Sequence, residues 1–192
     1  WLCEKFAIEA KIIPVTDNTI ETRVNTDEGE MHLQEFWVKH RGRNKVEGIQ
    51  YIGSEKARPS PEAINAIQNS RLVIIAPANP YTSIGPVLAI KAIRKELMKN
   101  RRKVVAISPI IGNAALSGPA AKYMESAGNE VSAYGVAKMY ANICSRIVID
   151  TKDRMQTKKI EALNMQVYDT KIRMTNKKSE DALASFILKQ VT

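Results

Sequence analysis

Alternating apolar and polar residues characterise the first part of the chain. From Lys11 to Tyr51 the alternation runs through ETRVNT, MHLQEFWV and VEGIQY, which is typical of strands that bury one face. The turn Asp27-Glu28-Gly29 separates the first two runs, and a polar KHRGRNK segment follows the second. We therefore predict an antiparallel hairpin, with a third strand after Gly42.

Beyond Arg58 the pattern changes to short apolar runs separated by helical periods. The predicted strands are RLVIIA, KVVAIS, RIVID and MQVYD, and the predicted helices are 61–69, 83–100, 118–127, 133–141 and 179–190, the last capped by Ser179. Strands that are apolar at nearly every position are buried on both faces, as in a parallel sheet covered by helices. The predicted fold class is α/β, with a doubly wound, mainly parallel sheet and an appended antiparallel hairpin region. Within one continuous domain, residues 1–57 form a partial helix and the hairpin region, and residues 58–192 form the α/β body.

The net charge bears on which partners the protein can bind, and the cysteines bear on its compartment. The net charge is +9, from 29 Lys and Arg against 20 Asp and Glu, which permits nucleic acid, an anionic membrane or a phosphorylated small molecule as partner. The positive residues are spread at helix and strand spacing, which favours solvated faces over a nucleic-acid surface. Cys3 and Cys144 lack the spacing of a metal or redox site, which indicates a reducing, cytoplasmic compartment.

The lengths of the apolar runs and the first residue of the chain lead to two further expectations. No apolar stretch approaches the ~20 residues that span a bilayer, so we expect no membrane partner. The chain begins at Trp1 within a helical pattern and without an initiator Met. We therefore expect that an upstream segment has been left out.

The segment APANPYTSIGPVLAI, residues 76–90, follows a predicted strand and precedes a helix. Pro77 and Pro80 stiffen the loop, Thr82 or Ser83 can cap the helix, and Pro86 fits its first turn.

This loop lies where ligands bind in open α/β sheets, beyond the carboxyl end of a strand. Free main-chain amides from Ser83 to Gly85 would bind a phosphate or diphosphate at the positive end of the helix. Asn79 adds a donor and an acceptor. Gly85 would let a ligand approach the backbone, so that a larger residue there should weaken binding and leave thermal unfolding nearly unchanged. An ordinary strand-to-helix turn with good capping remains the alternative.

Several segments together resemble one known family. NPYTSIGPVLAIKAIRKEL, VVAISPIIGNAALSGPAAKYM and YGVAKMYANICSRIVIDTKD, with TRVNTDEGEMHLQEFWVKHRG and ARPSPEAINAI upstream, are similar to the 2-phospho-L-lactate transferase, or CofD-like, family. The resemblance implies a Rossmann-like fold with a smaller appended part. It implies transfer of a 2-phospho-L-lactyl group from a guanosine diphosphate-linked lactate to 7,8-didemethyl-8-hydroxy-5-deazariboflavin, with release of GMP, in coenzyme F(420) biosynthesis. It further implies magnesium as cofactor and a homodimer.

The resemblance also implies site residues. It assigns nucleotide binding to Asn79, Pro80, Thr82, Ser83, Ile84 and Gly85, with Arg58 and Ser108 as candidates for the pocket walls. Transfer between phosphates needs stabilising charge, for which the basic Lys122 is a candidate, with an exposed helix residue as its alternative. No catalytic residue is predicted. Asp150 and Asp153, at the end of RIVID, are candidates to bind a metal or a ribose. A structural role at the strand end or helix cap is the alternative, and it is favoured for Asp153.

The family's Gly-Gly-Thr-Gly loop and its acidic deazaflavin and metal region do not occur in these 192 residues. We therefore expect the chain to be the C-terminal part of such a protein. Whether it catalyses the reaction by itself is open. Two other functions remain possible. A related family of the gluconeogenesis-factor type shares the YTSI core and would make the chain a nucleotide-sugar-binding regulator, and the charge alone would suit a basic nucleic-acid-binding module.

Overall fold

A computed structural model describes residues 2–116 and 118–191. The helices in these ranges are α1 (Leu2–Lys5), α2 (Pro61–Asn69), α3 (Ile84–Ala89), α4 (Lys91–Lys99), α5 (Ala120–Ser126), α6 (Ala133–Tyr140), α7 (Thr157–Glu161) and α8 (Lys177–Gln190). The strands are β1 (Glu21–Thr26), β2 (Gly29–His32), β3 (Val46–Ile52), β4 (Val73–Ile75), β5 (Val104–Ile107), β6 (Ile110–Ile111), β7 (Ala114–Ala115), β8 (Arg146–Asp150) and β9 (Gln166–Thr170). A π-helix covers Glu35–Lys39, and 3-10 turns cover Arg101–Lys103 and Thr151–Gln156.

A four-stranded parallel sheet in the order β4-β5-β8-β9 forms the centre of the molecule. All four residues of β5 are buried, because successive side chains point to opposite faces and both faces are covered. Val104 and Ala106 belong to one hydrophobic cluster, whereas Val105 and Ile107 pack in a second cluster with α8. Helices therefore lie on both faces of a parallel sheet, which confirms the predicted α/β class.

The antiparallel region forms a separate three-stranded sheet in the order β2-β1-β3. Its hairpin pairs Thr26 with Gly29 across the turn Asp27-Glu28, and β3 pairs with the other edge of β1. The hairpin and the third strand are therefore as predicted. Val24 and Phe36 from this region belong to the same buried cluster as Ile75 of β4. The predicted boundary after residue 57 falls in the connection between β3 and α2 and stays a prediction.

The segment MHLQEFWV is not one strand, contrary to the alternation of its residues. The strand β2 ends at His32, whose Nδ1 accepts the main-chain N–H of Gln34 at 3.1 Å. The π-helix then begins at Glu35. Phe36 is buried, whereas its neighbours Trp37 and Val38 are 47% and 70% exposed. Two adjacent exposed apolar residues do not fit a strand with one buried face, so the predicted strand is wrong beyond His32.

Two predicted helices also differ in detail. Residues 83–100 form α3 and α4, which are separated by extended backbone at Ile90, a residue that is completely buried at the joint. The cap of α8 is Asn176 and not Ser179, because the Asn176 side chain accepts the Ser179 N–H at 3.0 Å in a capping box. No helix in the described ranges is long and apolar enough to cross a bilayer.

Candidate functional site

A cleft of about 400 Å³ lies beside the carboxyl end of β4, at the edge where ligands bind in open α/β sheets. Three segments line it: the end of β2 with the π-helix, the β4–α3 loop, and the start of α5. The lining residues are Leu33, Gln34, Trp37, Pro77, Ala78, Asn79, Thr82, Ser83, Gly118, Pro119 and Tyr123. None of these side chains carries a formal charge. The volume falls within the range of about 300–1,000 Å³ that is usual for small-molecule sites.

Asn79 organises the β4–α3 loop with both of its carbonyl oxygens. Its Oδ1 accepts the main-chain N–H groups of Tyr81 and Thr82, at 2.9 and 3.2 Å. Its main-chain oxygen accepts those of Ser83 and Ile84, both at 3.0 Å. The Nδ2 group of Asn79 donates no hydrogen bond within residues 2–116 and 118–191 and is therefore available to a ligand in the cleft.

The start of α3 is less suited to an anion than the sequence suggests. The prediction of free main-chain amides is wrong for Ser83 and Ile84, because both donate to Asn79. Ser83 adjoins the helix, but its side chain makes no capping hydrogen bond. The helix has only six residues, so its dipole is short. Binding of a phosphate at this position stays an untested prediction.

Gly85 faces a tyrosine and not a ligand. The hydroxyl of Tyr51 donates to the main-chain oxygen of Tyr81 at 2.6 Å. A Cβ atom on Gly85 would overlap that hydroxyl and would lie 2.6 Å from the Tyr51 Cζ and 3.1 Å from the main-chain oxygen of Pro80. The glycine is therefore required by the packing of β3 against the loop. The expectation that a larger residue leaves unfolding unchanged is wrong for this reason.

Buried tyrosines surround the loop. Asn129 donates from Nδ2 to the Tyr81 hydroxyl at 2.8 Å, which fixes Tyr81 from the side of α5. Burial raises the pKa of Tyr51 and Tyr81, and it raises that of Tyr123 to about 12. The Tyr123 hydroxyl is buried without a hydrogen-bond partner in the described part of the chain. These phenols therefore stay neutral at physiological pH.

The structure brings Asn79, Thr82 and Ser83 together at the cleft, but not the other predicted residues. Pro80 and Gly85 instead line a smaller cavity of about 230 Å³ with Tyr51. Ile84 lies in the first turn of α3 and packs against the hydrophobic core.

The three further candidates have structural contacts of their own. Arg58 is exposed, and its main-chain N–H donates to the Asn18 side chain at 2.8 Å. Ser108 is completely buried and its hydroxyl bonds the main chain of Ile110. Lys122 donates from Nζ to the main-chain oxygen of Gly42 at 2.6 Å. None of the three lines the cleft, and ligand binding by them stays a prediction.

The carboxylates of Asp150, at the end of β8, and Asp153 accept hydrogen bonds from main-chain N–H groups. Asp150 accepts the main-chain N–H groups of Lys152 at 3.1 Å and Ile172 at 3.2 Å, one on each oxygen. Asp153 accepts the Gly112 N–H on both oxygens. Burial raises the pKa of Asp153, the Gly112 N–H opposes this rise, and the nearby Asp150 adds to it. Within the described ranges no group of three or more His, Cys, Asp or Glu residues could hold a metal ion. Asp150 thus has structural contacts of its own, and metal binding by it stays a prediction.

Sequence reasoning missed Gln34, Trp37 and Tyr123 as cleft residues. The signal for Trp37 was present, because the adjacent apolar pair Trp37-Val38 breaks the strand alternation. No comparable signal marks Tyr123, whose helix position is that of an ordinary core residue.

Comparison with known proteins identifies related sequences along almost the whole chain. The family model described as 2-phospho-L-lactate transferase CofD matches residues 1–189. Similar curated proteins, each called 2-phospho-L-lactate transferase, include one from Methanosarcina mazei, 39% identical over 97% of this chain and 61% of its own length. Another from Methanocaldococcus jannaschii is 44% identical over 87% of this chain and 56% of its own length. The chain thus spans about three fifths of the length of the curated relatives it matches.

Solved structures with the same fold are more distant in sequence. One is the protein BH3568 from Bacillus halodurans, with a TM-score of 0.65 and 15% identity over 97% of this chain and 64% of that one. A second structure of BH3568, described as a member of the UPF0052 family, has a TM-score of 0.58 at 15% identity over 95% of this chain and 64% of that one. At this identity the likeness shows the fold alone.

Proposed function

The chain belongs to the 2-phospho-L-lactate transferase CofD family, and we propose that it takes part in the transfer of a 2-phospho-L-lactyl group. The proposed donor is a guanosine diphosphate-linked lactate, and the proposed acceptor is 7,8-didemethyl-8-hydroxy-5-deazariboflavin. The observation that carries the proposal is the cleft in the family-like segment NPYTSIGP. There the free amide group of Asn79 and the hydroxyls of Thr82 and Ser83 line a space of ligand size.

The proposed reaction is a displacement at phosphorus. The terminal hydroxyl oxygen of the acceptor forms a bond to the phosphorus that carries the lactate. The bond from this phosphorus to the bridging oxygen breaks, GMP leaves with that oxygen, and the hydroxyl proton passes to solvent. Charge on the transferring and leaving phosphates must be stabilised by positive groups or preorganised donors.

The cleft by itself does not supply positive charge, because its lining side chains are neutral. We therefore propose that the chain contributes hydrogen bonds to the nucleoside end of the donor. Groups outside the cleft lining would neutralise the phosphates. The protein ligands of magnesium, as a proposed cofactor, would lie outside the residues described here. A homodimer and a cytoplasmic location stay predictions, of which light scattering tests the first.

A substitution at Asn79 tests the proposal with little change to the fold. Asn79→Asp keeps the oxygen that accepts from Tyr81 and Thr82, but it replaces the free amide donor by a negative charge. Calorimetry should show that the parent chain binds guanosine diphosphate and that Asn79→Asp binds it about 10-fold more weakly, because a lost neutral hydrogen bond costs about 0.5–1.5 kcal/mol and the new carboxylate repels acceptor atoms of the ligand. Asn142→Asp is the matched control, because Asn142 is exposed and lies outside the cleft.

Two further ligands separate the other functions. A uridine diphosphate-sugar that binds more tightly than guanosine diphosphate would favour the nucleotide-sugar-binding regulator. A short single-stranded oligonucleotide that binds most tightly of the three would favour the nucleic-acid module. The transferase itself is tested by GMP release from the donor in the presence of the deazaflavin acceptor.

A further inference from the structure

The cleft has the chemistry of a site for a neutral group. Its lining includes apolar and aromatic side chains, three hydrogen-bonding side chains from the β4–α3 loop and Gln34, but no charged side chain. The nearest main-chain amides, those from Tyr81 to Ile84, already donate to Asn79. A diphosphate would therefore leave water without compensating positive charge, whereas a neutral flat ligand needs none.

Trp37 supplies an aromatic surface in this cleft. It is a large aromatic side chain that is 47% exposed and lines the cleft, so its ring is accessible to a ligand there. The π-helix that carries it directs Phe36 into the core, where the Phe36 ring lies 6.2 Å from that of Tyr123. π-helical turns of this kind occur frequently at functional sites.

The position of the indole is supported from behind. A Cβ atom on Gly42 would lie 3.0 Å from Cζ3 and 3.1 Å from Cε3 of Trp37, so the ring packs directly on the glycine backbone. Gly42 has φ of +62°, a conformation that favours glycine. Its main-chain oxygen accepts the hydrogen bond from Lys122 on α5. The predicted site residue Lys122 thus holds the segment on which Trp37 rests.

We propose that the cleft binds a planar fused heteroaromatic ring that stacks on Trp37 and is hydrogen-bonded along its edge by Asn79, Thr82 and Ser83. The inference rests on the proposed function, which contains two such rings, the guanine of the donor and the deazaflavin of the acceptor. Trp37 is then a residue that determines specificity for ring-bearing ligands. A ligand that carries phosphates but no ring gains nothing from it.

The test compares ligands with and without a ring. The probes are guanosine diphosphate, riboflavin as a flavin-type ring, and inorganic pyrophosphate, each titrated by calorimetry into the parent chain, Trp37→Leu, Trp37→Phe and Val38→Ala. Val38 is the matched control because it is exposed in the same π-helix and does not line the cleft. Trp37→Leu should weaken binding of a ring ligand about 10-fold, as expected for loss of one aromatic stacking contact, whereas Trp37→Phe and Val38→Ala should stay close to the parent. The affinity for pyrophosphate should not change.

The ring ligand whose affinity falls in Trp37→Leu identifies which substrate supplies the ring. The fluorescence of Trp37 gives a second readout of ligand binding. The chain has two tryptophans, and Trp1→Phe leaves Trp37 as the only source of tryptophan emission. Guanosine diphosphate or riboflavin should quench the Trp37 fluorescence, and pyrophosphate should not.

Two results would overturn the inference in distinguishable ways. If the parent binds guanosine diphosphate and Trp37→Leu binds each ring ligand as tightly as the parent does, the ring site is refuted and the proposed function stands. If the parent binds neither ring ligand, both are refuted for this chain. Thermal unfolding of each variant separates a loss of binding from a loss of fold.

Discussion

Replacing Gly85 by Ala tests whether packing against Tyr51 requires glycine at this position. Gly85 is the second residue of α3, where helix propensity by itself favours Ala by about 1 kcal/mol. The structure predicts the opposite sign, because the new Cβ would overlap the Tyr51 hydroxyl and lie 2.6 Å from its Cζ. Overpacking of this kind costs about 1–3 kcal/mol, and displacement of the Tyr51–Tyr81 hydrogen bond costs about 1 kcal/mol more. The expected net loss is about 1–3 kcal/mol in the free energy of unfolding.

Urea unfolding followed by circular dichroism measures this difference. In a thermal melt, each kcal/mol of lost stability should lower Tm by about 2–4 °C in a domain of this size. Gly48→Ala is the control, because its Cβ would lie an ordinary 3.7 Å from the Asn25 side chain. The cost of Gly85→Ala should also fall in a Tyr51→Phe background, where the overlapping hydroxyl is absent. If Gly85→Ala is as stable as the parent or more stable, the packing argument is refuted and propensity decides the position.

Three further predictions concern stability. Asn79→Ala should lower the free energy of unfolding by about 1–3 kcal/mol, because two loop amides lose their acceptor; an unchanged urea midpoint would contradict this. Lys122→Met should cost no more than about 1 kcal/mol but should shift the emission of Trp37 in the Trp1→Phe background, since the support of Gly42 is lost; an identical spectrum would argue against that support. Asp153 binds its proton more tightly in the folded than in the unfolded chain, so its contribution to stability falls as pH rises from below the ordinary aspartate pKa through the raised folded value. Asp153→Asn should remove this slope from urea unfolding measured across acidic pH, and an unaltered slope would show that another group causes it.

Much of the fold was predictable because burial on both faces leaves a local record. The strand β5 is apolar at every position, and the helix Pro61–Asn69 begins with Ser60, whose side chain accepts the Ala63 N–H. The hairpin at Asp27-Glu28 was also predictable from local sequence, because the alternation of its strands and the residues of its turn are properties of adjacent positions. At Trp37 and Val38 the pattern was misleading: it predicted a strand through MHLQEFWV, whereas the strand ends at His32 and a π-helix follows.

The sequence by itself thus determined the family, the α/β class, and the loop in which Asn79, Thr82 and Ser83 lie. Only the tertiary structure decided what that loop presents to a ligand. The partner of Gly85 is a tyrosine whose hydroxyl bonds a main-chain oxygen 30 residues further along the chain. Of the three amides expected to be free, those of Ser83 and Ile84 donate to Asn79, and the cleft is completed by Trp37 and Tyr123 from other elements. Periodicity records which positions are buried, but hydrogen-bond partners and the shape of a cleft depend on contacts between distant segments, for which one sequence has no local signal.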